Sequence, residues 1–161
     1  MVMVIIAILA AVVIIRNPFD SIKLYSATRK VAADIRYVQK LSISNQTRAG
    51  MVFNGDYGYS VYPNINAAPL AISPGDPCSS WEDTSKLPPN IFFVVDFRQD
   101  RCSNYSGVTL STATPTIAFN SLGTPVTSVG GAINADQYVT VTYNGSKQIT
   151  IEQGTGRVSI P

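Results

Sequence analysis

Residues 1–15, MVMVIIAILAAVVII, carry no charged or hydrogen-bonding side chain, and they constrain this chain more than any other stretch. As a helix they would span about 22 Å, against roughly 30 Å of hydrocarbon in a bilayer, a shortfall of about five residues. A cleaved secretory signal would need basic residues ahead of the run and small residues after it. Arg16-Asn17-Pro18 follows instead. A buried core helix would have to be apolar on every side, which a small domain rarely encloses. The reading that fits is a membrane-spanning helix whose first residues lie ahead of Met1. Arg16 then marks the point where the chain leaves apolar surroundings.

The next stretch keeps a helical beat. Leu24, Ala27, Val31, Ile35, Val38 and Leu41 recur at spacings of three and four, one stripe of a helix that should end near Asn45. Leu24, Val31, Ile35, Val38 and Leu41 are the expected packing residues. Arg29, Lys30, Asp34, Arg36 and Lys40 are expected on the other faces, with Lys30 and Asp34 paired at i,i+4. Pro18 removes one backbone donor and predicts a kink near Ile14–Arg16.

After residue 46 the period changes to two. Gln46–Asn54 and Tyr57–Tyr62 predict a hairpin around Gly55-Asp56. Ile91–Phe97 is a short apolar run suited to a strand covered on both faces. Val108–Ser111, Pro115–Phe119 and Val158–Ile160 add short strands. Tyr138–Tyr143 and Gln148–Glu152 alternate around Asn144-Gly145, the pattern of a type I′ hairpin. About seven or eight strands argue for two antiparallel sheets or one strongly curved one. Residues 63–90 hold six of the ten prolines and read as an irregular surface loop. The expected architecture is therefore α+β. A long helix over 1–45, apolar then amphipathic, packs on an antiparallel β-rich domain over 46–161.

The chemistry open to such a chain is narrow. It has no histidine, which removes the Ser-His-Asp triad, the Cys-His dyad and His-ligated zinc. Charged residues make up only 14%, while Ser and Thr number 29, a mix that suits an envelope protein. Residues 1–50 hold seven basic and two acidic groups, a balance of +5. Residues 51–161 hold five basic and eight acidic groups, a balance of −3. Two surfaces of the molecule thus meet different environments. Asp96, Asp100, Glu82 and Asp83 lie near aromatics but carry no glycosidase fingerprint. Gly154-Thr155-Gly156 lacks the lysine and helix start of a phosphate loop. No cofactor or metal is expected. Cys78 and Cys102, 24 positions apart, are expected to form a disulfide in an oxidising compartment.

Val4-Ile5-Ile6-Ala7-Ile8-Leu9-Ala10-Ala11-Val12 resembles the N-terminal helix of type IV pilins and pseudopilins, where it follows a processed Phe-Thr-Leu-Ile-Glu-type segment. Ala32-Ala33-Asp34-Ile35-Arg36-Tyr37-Val38-Gln39-Lys40-Leu41 is similar to the helix end of the GspH/FimT-like minor (pseudo)pilins. Phe119-Asn120-Ser121-Leu122-Gly123-Thr124-Pro125 and Ile149-Thr150-Ile151, leading into Thr155-Gly156-Arg157-Val158, resemble the same branch. The processing site and its acidic residue are absent from the sequence, and the proline stands three positions beyond Ile15. The resemblance implies a non-enzymatic subunit of a type IV pilus-like or type II secretion pseudopilus filament in the bacterial cell envelope. Its partners would be copies of itself or other pilins, and the inner membrane before assembly. Val4, Ile5, Ile6, Ile8, Leu9, Val12 and Val13 would make the helix contacts. A DNA-binding minor pilin is the alternative. It is disfavoured here because the basic residues cluster on the helix, the expected packing side, and the β-half is net acidic.

Overall fold

A computed structural model of the 161-residue chain describes residues 18–64, 79–80 and 93–161. The apolar segment 1–15, the expected kink near Ile14–Arg16, Cys78, Glu82 and Asp83 lie outside the described residues.

Helix α1, Pro18–Ser44, runs for 27 residues. Asp20 in its first turn complements the positive end of the helix dipole. The far end closes with Gln46 at φ 51, its N–H on the Ile43 carbonyl at 3.3 Å and the Thr47 N–H on the Ser42 carbonyl at 3.2 Å. This pair of bonds is a Schellman closure, and it explains why the next strand begins at Ala49 rather than at the expected Gln46.

Among the described residues ten strands follow: β1 Ala49–Phe53, β2 Gly58–Tyr62, β3 Ser79–Ser80, β4 Phe93–Asp96, β5 Thr109–Thr112, β6 Thr116–Phe119, β7 Pro125–Val126, β8 Gln137–Thr142, β9 Ser146–Ile151 and β10 Val158–Ser159. A 3-10 helix, Asp100–Tyr105, precedes β5. The sheets are antiparallel, six-stranded in the order β3-β4-β2-β1-β6-β7 and four-stranded in the order β10-β9-β8-β5. The α+β architecture is as expected, with more strands. The two-residue strands β3 and β7 exceed the expected number, and β3 breaks the loop predicted over 63–90.

The core follows from alternation. Met51 pairs across to Val61 and to Ile117, Tyr59 to Val95, and Ala49 to Phe119, so these side chains share one face of the six-stranded sheet. Val139, Val141, Leu110 and Ile149 share the inner face of the other. All are buried, and α1 lies against both sheets. The opposite face of the four-stranded sheet reads across its strands as Thr109, Thr142, Ser146, then Ser111, Thr140, Gln148, then Tyr138, Thr150, Ser159.

The β8–β9 turn differs from expectation. Thr142 pairs with Ser146, so the loop holds three residues rather than the two of a type I′ turn. Asn144 takes φ 44 and Gly145 φ 151. The reason is tertiary: Asn144 Nδ2 donates to Asp20 Oδ2 at 2.9 Å, and Lys23 Nζ stands 4.3 Å over the Tyr143 ring. These contacts tie the hairpin tip to the first turns of α1.

Candidate functional site

Helix α1 presents two different surfaces. Leu24, Ala27, Val31, Ile35 and Val38 are buried among the sheets, and Leu41 packs against them half-buried. Thr28 and Ser42 are buried too, each hydroxyl donating to a carbonyl of its own helix, Leu24 at 2.7 Å and Gln39 at 2.7 Å. The outward side begins apolar. Phe19 is 74% exposed, Ile22 63% and Tyr25 46%, at three-residue intervals along one flank. That flank directly follows the segment holding Val4, Ile5, Ile6, Ile8, Leu9, Val12 and Val13, which lies outside the described residues.

Lys30 corrects the sequence reading. Expected on an outer face, its side chain is 5% exposed. Its ammonium pairs with Asp34 Oδ2 at 3.1 Å, and the same oxygen accepts the Tyr59 hydroxyl of β2 at 2.5 Å. The i,i+4 pair forms as expected, but a phenol 25 positions away draws it under the sheet. Tyr59 meets Phe97 edge-on at 6.3 Å, and Phe97 meets Tyr105 at 5.5 Å. This aromatic row seats the 3-10 helix that carries buried Cys102, which is not a free thiol.

The two C-terminal stretches that resemble the minor pilins meet in space over Gln39. Gln39 Nε2 donates to the Gly123 carbonyl at 2.8 Å and to the Thr155 carbonyl at 3.4 Å. Arg36 donates to the Val158 carbonyl at 2.8 Å. Gly156, at φ 69, has no room for a side chain: a Cβ there would lie 2.4 Å from the Gly123 carbonyl oxygen. These motifs hold the helix to its sheets. Sequence reasoning missed Gln39 and Arg36 as fasteners, although both lie within the helical segment that carried the resemblance.

Arg29, Arg36 and Lys40 are exposed on α1. The Arg29 guanidinium and the Lys147 ammonium lie 5.3 and 5.8 Å from the Tyr25 ring. Between α1, Tyr105 and Ile160 is a cleft of about 550 Å³, bordered by Tyr25, Arg29, Lys30 and Arg36. Among the described residues, Lys23, Arg29, Arg36, Lys40 and Lys147 make no ion pair with a carboxylate. The helix packs through its apolar stripe, so most of its cations are not on the packing side, contrary to expectation.

The other candidates are structural in their geometry. Asp96 Oδ2 pairs with Arg98 at 2.7 Å, and this bond raises the guanidinium pKa above its ordinary value. Asp100 opens the 3-10 helix. Tyr37 stacks on Phe93 at 6.1 Å, and partial burial pushes its phenol above 10. Among the described residues no helix is long and apolar enough to cross a membrane.

No family model and no curated protein matches this sequence. Solved structures do. A crystal structure of the type IV minor pilin FimU from Pseudomonas aeruginosa strain PAO1 superposes with TM-score 0.53 at 15% identity, over 88% of this chain and 90% of that one. A second crystal form gives TM-score 0.50 at 15% identity, over 85% and 91%. The chain shares its fold with a minor pilin. At this identity the likeness is one of fold, a long helix laid on antiparallel sheets.

Proposed function

We propose that the protein is a structural subunit of a pilus-like filament in the cell envelope. The observation that carries this is the exposed apolar flank at the start of α1, on the fold of a minor pilin. A 15-residue apolar run leads into a helix whose first turns keep Phe19 and Ile22 in the open, on a domain with the fold of a minor pilin. A rod of this kind must be covered by lipid or by other such rods. The subunit would wait in the inner membrane and then pack beside copies of itself or other pilins through Val4, Ile5, Ile6, Ile8, Leu9, Val12 and Val13. Type IV pilus and type II secretion pseudopilus both fit this role.

The deciding experiment places a charge in the rod. Ile8→Asp should abolish incorporation into filaments while the thermal midpoint of the β-domain stays unchanged. Normal incorporation of that variant would overturn the assembly reading. Burying fifteen mostly aliphatic side chains at roughly 1.5–3 kcal/mol each is an upper bound of tens of kcal/mol, so one carboxylate in the middle is a severe penalty.

The cleft bordered by Arg29 and Arg36 favours one second reading, a contact with nucleic acid. Arg29 and Lys147 flanking exposed Tyr25 combine positive charge with a ring on which a base can stack. Fluorescence anisotropy with a single-stranded oligonucleotide tests it. Binding should weaken steeply with salt and in Arg29→Glu. Salt-independent binding, or none, rules this reading out.

A further inference from the structure

The nine outer-face strand positions of the four-stranded sheet, from Thr109 to Ser159, carry no charge, and the Glu152–Arg157 ion pair lies just beyond the strand ends. Their side chains, exposed or half-buried, are threonines, serines, one glutamine and one tyrosine, and none of their hydroxyl or amide groups bonds to another part of the described chain. A sheet face exposed only to water usually carries lysine and glutamate, which keep other surfaces away. Here Thr140 and Thr142 on β8, and Gln148 and Thr150 on β9, form a regular lattice instead. Neighbours stand about 4.8 Å apart across strands and about 6.8 Å along them. Threonine is stiff at χ1, so fixing it against a partner costs little rotamer freedom.

Beside this lattice stands Tyr138, 43% exposed, which also borders a cavity of about 340 Å³. Ala113 and Ile133 give the cavity apolar wall, while Thr114, Asn134 and Asp136 supply hydroxyl, amide and carboxylate. Asp136 is held in place by the Gln153 N–H at 2.8 Å from its Oδ1.

The chemistry of the face selects its partner. Nucleic acid and anionic lipid need cations, and the lattice has none. A protein interface is built around an apolar core with anchoring side chains, and one tyrosine does not make such a core. A neutral polymer of hydroxyls meets every feature. Its hydroxyls exchange hydrogen bonds with the threonines and Gln148, and its C–H faces lie on the Tyr138 ring. One sugar unit fits the adjoining cavity, where carboxylate and amide accept its hydroxyl protons. We propose that the outer face of the four-stranded sheet, with the cavity beside Tyr138, binds a neutral polysaccharide. This inference stands on the face itself and does not need the filament reading.

Affinity electrophoresis of the full chain in a zwitterionic, sugar-free detergent tests it, with hydroxyethyl cellulose, dextran and, as a polyanion, alginate cast in the gel. At least one neutral polymer should retard the protein, and about 0.5 M salt should leave the retardation unchanged, since no charge is screened. Tyr138→Ala and Gln148→Glu should each weaken retardation by about tenfold in apparent dissociation constant. Both sites are exposed, so a melting curve matching the parent shows that the loss is one of binding. Leu122→Ser, on an exposed turn away from the face, should bind as the parent does. Three outcomes overturn the proposal: no retardation by either neutral polymer, retardation by alginate alone, or full retardation in both face variants.

Discussion

Tyr59 on β2 donates its hydroxyl to Asp34 on α1, the same carboxylate oxygen that holds the buried Lys30 ammonium. One carboxylate thus joins the helix to the middle of the six-stranded sheet. Tyr59→Phe keeps the ring contacts with Phe53 and Phe97 and removes only the bond, so it should cost about 1.5–3 kcal/mol. Asp34→Ala strips a buried cation of its counter-charge and should cost about 3 kcal/mol or more. Urea unfolding of both variants checks the order. Equal costs would mean that the ion pair adds nothing to the hydrogen bond.

Gly156 should be among the least replaceable residues of the domain. Alanine there meets the Gly123 carbonyl and Gln39, and must also adopt a positive φ. The expected loss is roughly 2–4 kcal/mol from strain and crowding together. Gly154, with open space around its Cα, is the control, and Gly154→Ala should melt within a few degrees of the parent.

Alkaline stability should report Tyr37. Its pKa is raised in the folded state by partial burial, so the folded protein holds the phenolic proton more tightly than the unfolded chain. The contribution is complete below pH 10, and it is lost as pH climbs from there through the folded value. Stability measured by denaturation across that window should therefore fall less steeply in Tyr37→Phe. An identical slope in parent and variant would contradict the assignment.

Cys102 is buried beneath the aromatic row, and Cys78 is the chain's only other cysteine. Peptide mapping without reductant should recover the two linked. Reduction should lower stability by about 3–4 kcal/mol in the chain-entropy account. Two alkylatable thiols in oxidised protein would refute the bridge.

Much of this fold is legible in the sequence, because the signals are local and repeated. The stripe from Leu24 to Val38 keeps one period for four turns, and β8 alternates over six residues. What escapes is set by contacts distant along the chain. β3 is two residues long, too short for any period, and exists because Val94 and Val95 offer it a ladder. The burial of Lys30 depends on Tyr59, and the third residue of the β8–β9 loop on Asp20. The candidate surfaces were less legible than the fold. The composition shows that charges are few, but only the register reveals that nine outer-face strand positions of one sheet have none.

The insertion of α1 against both sheets has a mechanical consequence. The helix leads directly into β1, which sits inside the six-stranded sheet with β2 and β6 on its two sides. A pull on the N-terminal side of the chain acts along the helix axis, parallel to the surfaces that Ala27, Val31, Ile35 and Val38 bury. Such a load is resisted in shear, with Gln39, Arg36 and Asp34 as cross-ties, and these contacts must slip together instead of opening one by one.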